Sequence, residues 1–280
     1  MTSRNENMAA LRFTASFNHT SEPVLLHHVQ QPYQAKNILI QFFESTEKRD
    51  HLLRGSGNIE VYEPDDKAIS SVFPSLIRRW KLERSRFGED IASSEYDVSF
   101  LDLIVETKFL VFNIFVKAII GFKLIYTPFD NDDIEHAEEV DWEPEYEFLL
   151  LAEDFRADGP PPLVFIFNQL TGKGAEPTTY KLSNDMHLHH AYLKVNARLH
   201  NDEASGKEKV TFQSASRAEI ALQFPSLLLK IIPVPIEIIE REGSRALLKN
   251  MKKDVVSGVS NFRRAFVEWT DQQYYDNNMN

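Results

Sequence analysis

From Val98 to Tyr126 the chain runs VSFLDLIVETKFLVFNIFVKAIIGFKLIY, its most apolar stretch, dominated by Val, Ile and Phe. β-Branched and aromatic residues favour strands, and a stretch this apolar has to be covered. It favours a sheet with at least one buried face. The reading is two strands broken near Glu106-Thr107-Lys108. A helix placing Asp102, Glu106, Asn113 and Lys117 on one narrow polar face is the alternative. A bilayer span needs about 20 mostly apolar residues, whereas 109–126 is interrupted by Asn113, Lys117 and Lys123. No membrane span is expected.

Further strands are read in LRFTASF, in the nearly continuous apolar run NILIQFF, in IEVY, and in PPPLVFIFNQLTGKG. Residues 191–199 alternate cleanly: Ala191, Leu193, Val195, Ala197 and Leu199 on one side, Tyr192, Lys194, Asn196 and Arg198 on the other. That is the pattern of a half-buried strand. HNDEASGKEK then reads as a hairpin loop leading into VTFQ. In LLLKIIPVPIEIIE, Pro233 and Pro235 confine any strand to an edge or to an inter-lobe position.

Two helices are expected. Pro74 is suited to a first helical position, with SLIRRWKLERSRF following and Ile77, Trp80 and Arg84 on one face. Ser244 is placed to cap a second helix, whose Leu248, Met251, Val255, Val259, Phe262, Phe266 and Trp269 recur at three- and four-residue intervals. The class is therefore α+β, with largely antiparallel sheets, a basic helix near 74–87 and a C-terminal amphipathic helix. The expected organisation is a mobile tail (1–10), a β-rich lobe with the basic helix (11–129), an acidic loop or linker (130–147), a second β-rich lobe (148–243), the amphipathic helix (244–272) and a polar tail (273–280). Two lobes divided by the acidic segment are expected in preference to one domain.

The 280 residues include no cysteine, which excludes disulfides, thiolate metal sites and cysteine nucleophiles. MTSRNENMAALRF lacks the apolar core of a signal peptide, so an intracellular location, cytoplasmic or nuclear, is expected. Met186 to His190 reads MHLHH, and His187 and His189 share one side of a strand, which makes them the candidate metal pair. Neither a trailing carboxylate at cupin spacing nor a His-x-His-x-Asp-His order accompanies them. No Gly-x-Ser-x-Gly elbow is present. Asp130, Asp132 and Asp133 lack calcium-loop spacing, and RGSGN and TGKG do not match phosphate-cradling loops. No cofactor is expected, and the balance of these features is against an enzyme.

Charge is segregated. Net charge is −11, which disfavours bulk adhesion to nucleic acid, yet Arg78, Arg79, Lys81, Arg84 and Arg86 cluster on one predicted helix. Arg245 to Lys253, with Arg263 and Arg264, cluster on the other. In size, acidity and β-richness the chain is similar to sliding-clamp-like ring subunits and viral structural proteins, a likeness of composition alone. The leading expectation is a non-enzymatic interaction or structural subunit of a larger assembly, through a protein partner or self-association. Its contact residues would be the five basic residues together with Phe262, Phe266 and Trp269. The alternatives are a metal-assisted hydrolase using His187 and His189, and a nucleic-acid-associated protein using the basic helices.

Overall fold

A computed structural model describes residues 8–27, 32–55, 59–64, 66–88, 98–109, 112–128, 142–159, 161, 189–202, 207–225 and 234–279. In chain order the elements are β1 (Met8–Thr20), β2 (Val24–Leu25), α1 (Pro32–Glu44), α2 (Thr46–Leu53), β3 (Ile59–Tyr62), α3 (Asp66–Arg86), β4 (Ser99–Phe109), β5 (Phe112–Pro128), β6 (Trp142–Asp158), β7 (His189–Asp202), β8 (Lys207–Pro225) and α4 (Ile236–Met279). The α+β class and the antiparallel pairing hold. The strands form one eight-stranded sheet in the order β1-β8-β7-β6-β5-β4-β3, with β2 also pairing β8.

Strands on either side of the acidic segment pair directly, β5 against β6, within one sheet. The segment's last residues, from Trp142, are already strand. The apolar stretch forms the antiparallel pair β4–β5, from Ser99↔Phe122 to Phe109↔Phe112. Its break therefore comes after Phe109 and not at Glu106–Lys108. The hairpin β7–β8 forms as expected, but its strands run on into HNDEASGKEK, pairing His200↔Lys209, Asn201↔Glu208 and Asp202↔Lys207. The strand expected in PPPLVFIFNQLTGKG, together with His187, TGKG and Asp130 to Asp133, lies outside the described residues.

Other expectations are corrected as well. NILIQFF is helix, not strand: Ala35, Leu39, Phe42 and Phe43 are buried at helical spacing, and the short apolar window hid that period. Pro74 lies inside α3, not at its start. A proline in a helix interior costs about 3 kcal/mol. The helix continues because Ile69, Val72, Leu76 and Trp80 carry one apolar stripe across it onto the sheet. PIEIIE belongs to α4, whose first turn forms on the Pro235 carbonyl, the acceptor from Ile238 and Ile239. The ends also shift: β1 begins at Met8, and 273–279 are helix rather than tail.

The sheet has two covered faces. On the inner face α1, α2 and α4 pack over Leu101, Leu103, Ile120, Phe148, Val195 and Phe212. On the outer face α3 packs over Phe100, Ile119, Leu149, Leu151 and Tyr192. Strand alternation assigns every other residue to each face. The inner core centres on aromatic rings, with Phe262 at 4.9 Å from Phe42, 5.3 Å from Phe43 and 5.2 Å from Phe212 between centroids.

Glycines mark where elements approach too closely for a side chain. A Cβ on Gly258 would stand 2.3 Å from the Leu52 carbonyl, and one on Gly121 2.7 Å from the Trp80 ring. The N-terminal part of α4 lies along β1, an edge strand. There Glu240 accepts from the Arg12 N–H at 2.8 Å and Ser244 Oγ from the Thr14 N–H at 3.1 Å. Ser244 thus caps a strand edge, not a helix end, and occupies backbone donors that an exposed edge would offer to another chain.

Candidate ligand cavity

The C-terminal half of α4 is sealed onto the sheet by Phe262 and Phe266, both fully buried. Under residues 247–255 the same face of the sheet is different. Ladder register sets Ala191 opposite Ala218 and Leu193 opposite Ser216, where Val195, Val210 and Phe212 fill the other end. Side chains that short do not reach α4, and a cavity of about 420 Å³ remains. Val116, Leu150, Leu193, Ile220, Met251 and Val255 are among its walls. Its volume lies within the roughly 300–1,000 Å³ of small-molecule sites. Its wall is predominantly apolar, and it opens to solvent on one side.

Polar side chains enter the wall from two sides: Glu153 and His189 from the sheet, Asn250 and Asp254 from α4. Glu153 Oε1 stands 2.5 Å from His189 Nδ1, with side-chain exposures of 12% and 13%. Asp254 sits where α2 ends. A Cβ on Gly55, which has φ +44, would meet its carbonyl at 3.2 Å. Gly55 holds that left-handed turn, and its own carbonyl accepts from Ser257 and Asn261 of α4.

His189 therefore points inward to the cavity, and the next residue, His190, points outward beneath α3. His190 Nδ1 is 2.8 Å from Glu83, which is fully buried and also pairs with Arg79 at 2.9 Å. Burial disfavours the charged form of Arg79 and lowers its pKa, and Glu83 opposes that shift. The consecutive histidines serve opposite faces and cannot converge on one ion. Among the described residues no three His, Asp or Glu side chains are grouped to hold a metal.

The basic residues of α3 divide. Arg79 and Arg84 are turned onto the sheet, Arg84 at 3.0 Å from the fully buried Glu147. Arg86 reaches Glu219 at 3.4 Å, Arg78 is exposed, and Lys81 is half-buried. On α4, Arg245 pairs with Glu242 and Arg263 donates to the carbonyls of Glu22 and Pro23. Because α3 and α4 cover opposite faces of the sheet, their basic residues do not form one surface. Phe262 and Phe266 are interior, and Trp269 is half-buried with its ring 5.7 Å from that of Phe42.

The sequence singled out His189 but not its partner Glu153, nor any other wall residue as a ligand contact. The available signal was a local drop in side-chain size, Ala191 with Ala218 and Ser216, on alternating strand positions. No helix among the described residues is long and apolar enough to cross a membrane. No protein-family model matches the chain, and no curated protein matches it in sequence.

Proposed function

We propose that this chain is a binding protein for an apolar small molecule, held between α4 and the inner face of the sheet. The observation that carries the reading is the cavity of about 420 Å³, walled by aliphatic side chains and reached by few polar groups. An apolar ligand of matching size would fill space the chain leaves unpacked, gaining about 25 cal/mol per Å² of surface taken from water. The test is native mass spectrometry with an environment-sensitive apolar fluorophore. The wild type takes up one equivalent, and Ala218→Phe, which fills the cavity from the sheet side, loses at least tenfold in affinity while remaining folded. Equal affinity in the filled variant would refute the reading.

A role as a subunit of a larger assembly is the second reading. It is favoured by three exposed apolar side chains on the outer side, Phe73, Ile104 and Phe115. Ile104 pairs with Lys117 and Glu106 with Phe115, which makes Ile104 and Phe115 diagonal neighbours on one face. An assembly through this face loses mass on Phe115→Asp, and a wild type that is monomeric alone and in its source extract removes the reading.

A further inference from the structure

The wall of the cavity contains an irregularity of the sheet. The β6–β7 ladder ends at Leu149↔Tyr192, although β6 continues to Asp158 and β7 starts at His189. Beside this point Ile120 pairs with Leu150 while Ile119 pairs with Ala152, so Leu151 is an extra residue in β6. Such a bulge bends its strand and re-aims the side chains beyond it. Ala118, an inner-face residue, pairs with Glu153, which brings that carboxylate to the cavity side. Where the ladder stops, the Glu153–His189 contact at 2.5 Å joins the two strands.

The charges presented to the cavity have a sign. Glu153 and Asp254 are carboxylates on the inner side, whereas Arg217, which also borders the cavity, belongs to the outer face by alternation and is exposed. An anionic head brought up to Glu153 would meet a like charge, which disfavours it. A head that donates a hydrogen bond meets a suitable acceptor, because a carboxylate has two oxygens and about four lone-pair directions. His189 Nδ1 occupies one of them and fixes the group in place.

We propose that Glu153, held by His189, is the polar anchor of the cavity. The ligand is then an apolar molecule ending in a hydrogen-bond donor, a hydroxyl or an ammonium, and not in a carboxylate or phosphate. This rests on the cavity being a binding site.

The experiment uses the full chain and a matched series of dodecane, dodecanol, dodecylamine and dodecanoate, each competing against the apolar fluorophore. The wild type binds dodecanol and dodecylammonium at least about tenfold more tightly than dodecanoate, the size of effect expected for a hydrogen bond to a charged group. Glu153→Leu brings dodecanol and dodecanoate to within about twofold of each other. Glu153→Gln keeps an acceptor and so keeps the preference for dodecanol over dodecane, while losing much of the preference for dodecylammonium. Dodecanoate binding as tightly as dodecanol to the wild type overturns the proposal without any variant, as does an unchanged ranking in Glu153→Leu. If neither the fluorophore nor any member of the series binds, the cavity reading itself has failed. If the chains bind without ranking by head group, only the anchor has failed.

Discussion

Phe262→Ala removes the ring on which the inner core converges. Phe262 is 0% exposed, and its centroid lies 4.9 Å from Phe42, 5.3 Å from Phe43, 5.2 Å from Phe212 and 6.2 Å from Tyr146. Those four neighbours come from α1, β8 and β6, so a collapse that fills the space would have to move three elements at once. The cost therefore belongs near the upper part of the range of about 3–5 kcal/mol for buried Phe→Ala. Unfolding entropy of roughly 2.1 cal/mol/K per residue gives about 0.6 kcal/mol/K for 280 residues. Tm should then fall by about 7–8 °C. Differential scanning calorimetry, with the exposed Arg264→Ala on the same helix as control, reads the difference. A Phe262→Ala Tm within about 1 °C of wild type would refute the docking of α4 on its own sheet. A fall in native mass would place the ring in a subunit contact instead.

Gly258→Ala should destabilise by about 1–3 kcal/mol in urea unfolding, because the new Cβ meets the Leu52 carbonyl at 2.3 Å and backbone cannot step aside like a side chain. Glu147→Leu should cost about 3–5 kcal/mol by taking a carboxylate from the buried Arg84, whereas the pair Arg84→Met with Glu147→Leu should recover most of it; a double-mutant cycle checks both. Stability should fall from about pH 10 to about pH 12. Burial and the bond to Glu44 push Tyr126 up to about 12, and burial raises Tyr146, whose hydroxyl donates to the Phe43 carbonyl, so the folded state keeps protons the unfolded state releases. The contribution is complete below pH 10 and lost as the folded phenols ionise, which Tyr146→Phe should lessen in alkaline melts.

What could be read from the sequence was periodicity that one segment carries alone. The alternation over 191–199 appears as β7, because a strand half-covered by a core writes its burial into consecutive residues. The stripe from Met251 to Phe266 appears as α4 for the same reason. NILIQFF failed because seven residues are less than two helical turns, too short a window for its period to stand out. The signal it held was Asn37 and Gln41, polar, exposed and four residues apart, opposite the buried Ala35, Leu39, Phe42 and Phe43. Pro74 failed because the force holding α3 together across it, burial on the outer face, comes from strands far along the chain. The cavity was hidden more deeply. It arises where three short side chains on two strands become neighbours, and only the β7–β8 register sets Ala191 against Ala218. His189 was noticed as a histidine beside histidines, while the residue that gives it meaning is Glu153 on another strand.

The segregated charge has a physical account of the same kind. A basic helix in an acidic chain suggests an anionic partner outside the molecule, but the outer face of the sheet supplies one within it. Glu145 and Glu147 lie there by alternation with the inner Tyr146 and Phe148. Lys194 answers Glu145 at 3.1 Å, Arg84 answers Glu147, and Arg86 reaches Glu219. The buried Arg84–Glu147 pair returns little net stability, since desolvation offsets its attraction, and the exposed Arg86–Glu219 pair adds little more. What they add is placement: an arginine seated on the wrong carboxylate, or α3 shifted by one turn, leaves charges uncompensated under the helix. The outer face thus fixes where α3 lies by charge, and the inner face fixes α4 by ring packing over only half its length. The other half of α4 is held at the strand edge by Glu240 and Ser244 and stands clear of the sheet above Ala191 and Ala218. A helix pinned at both ends and unpacked between them is what keeps a cavity open in a chain that could otherwise have closed it.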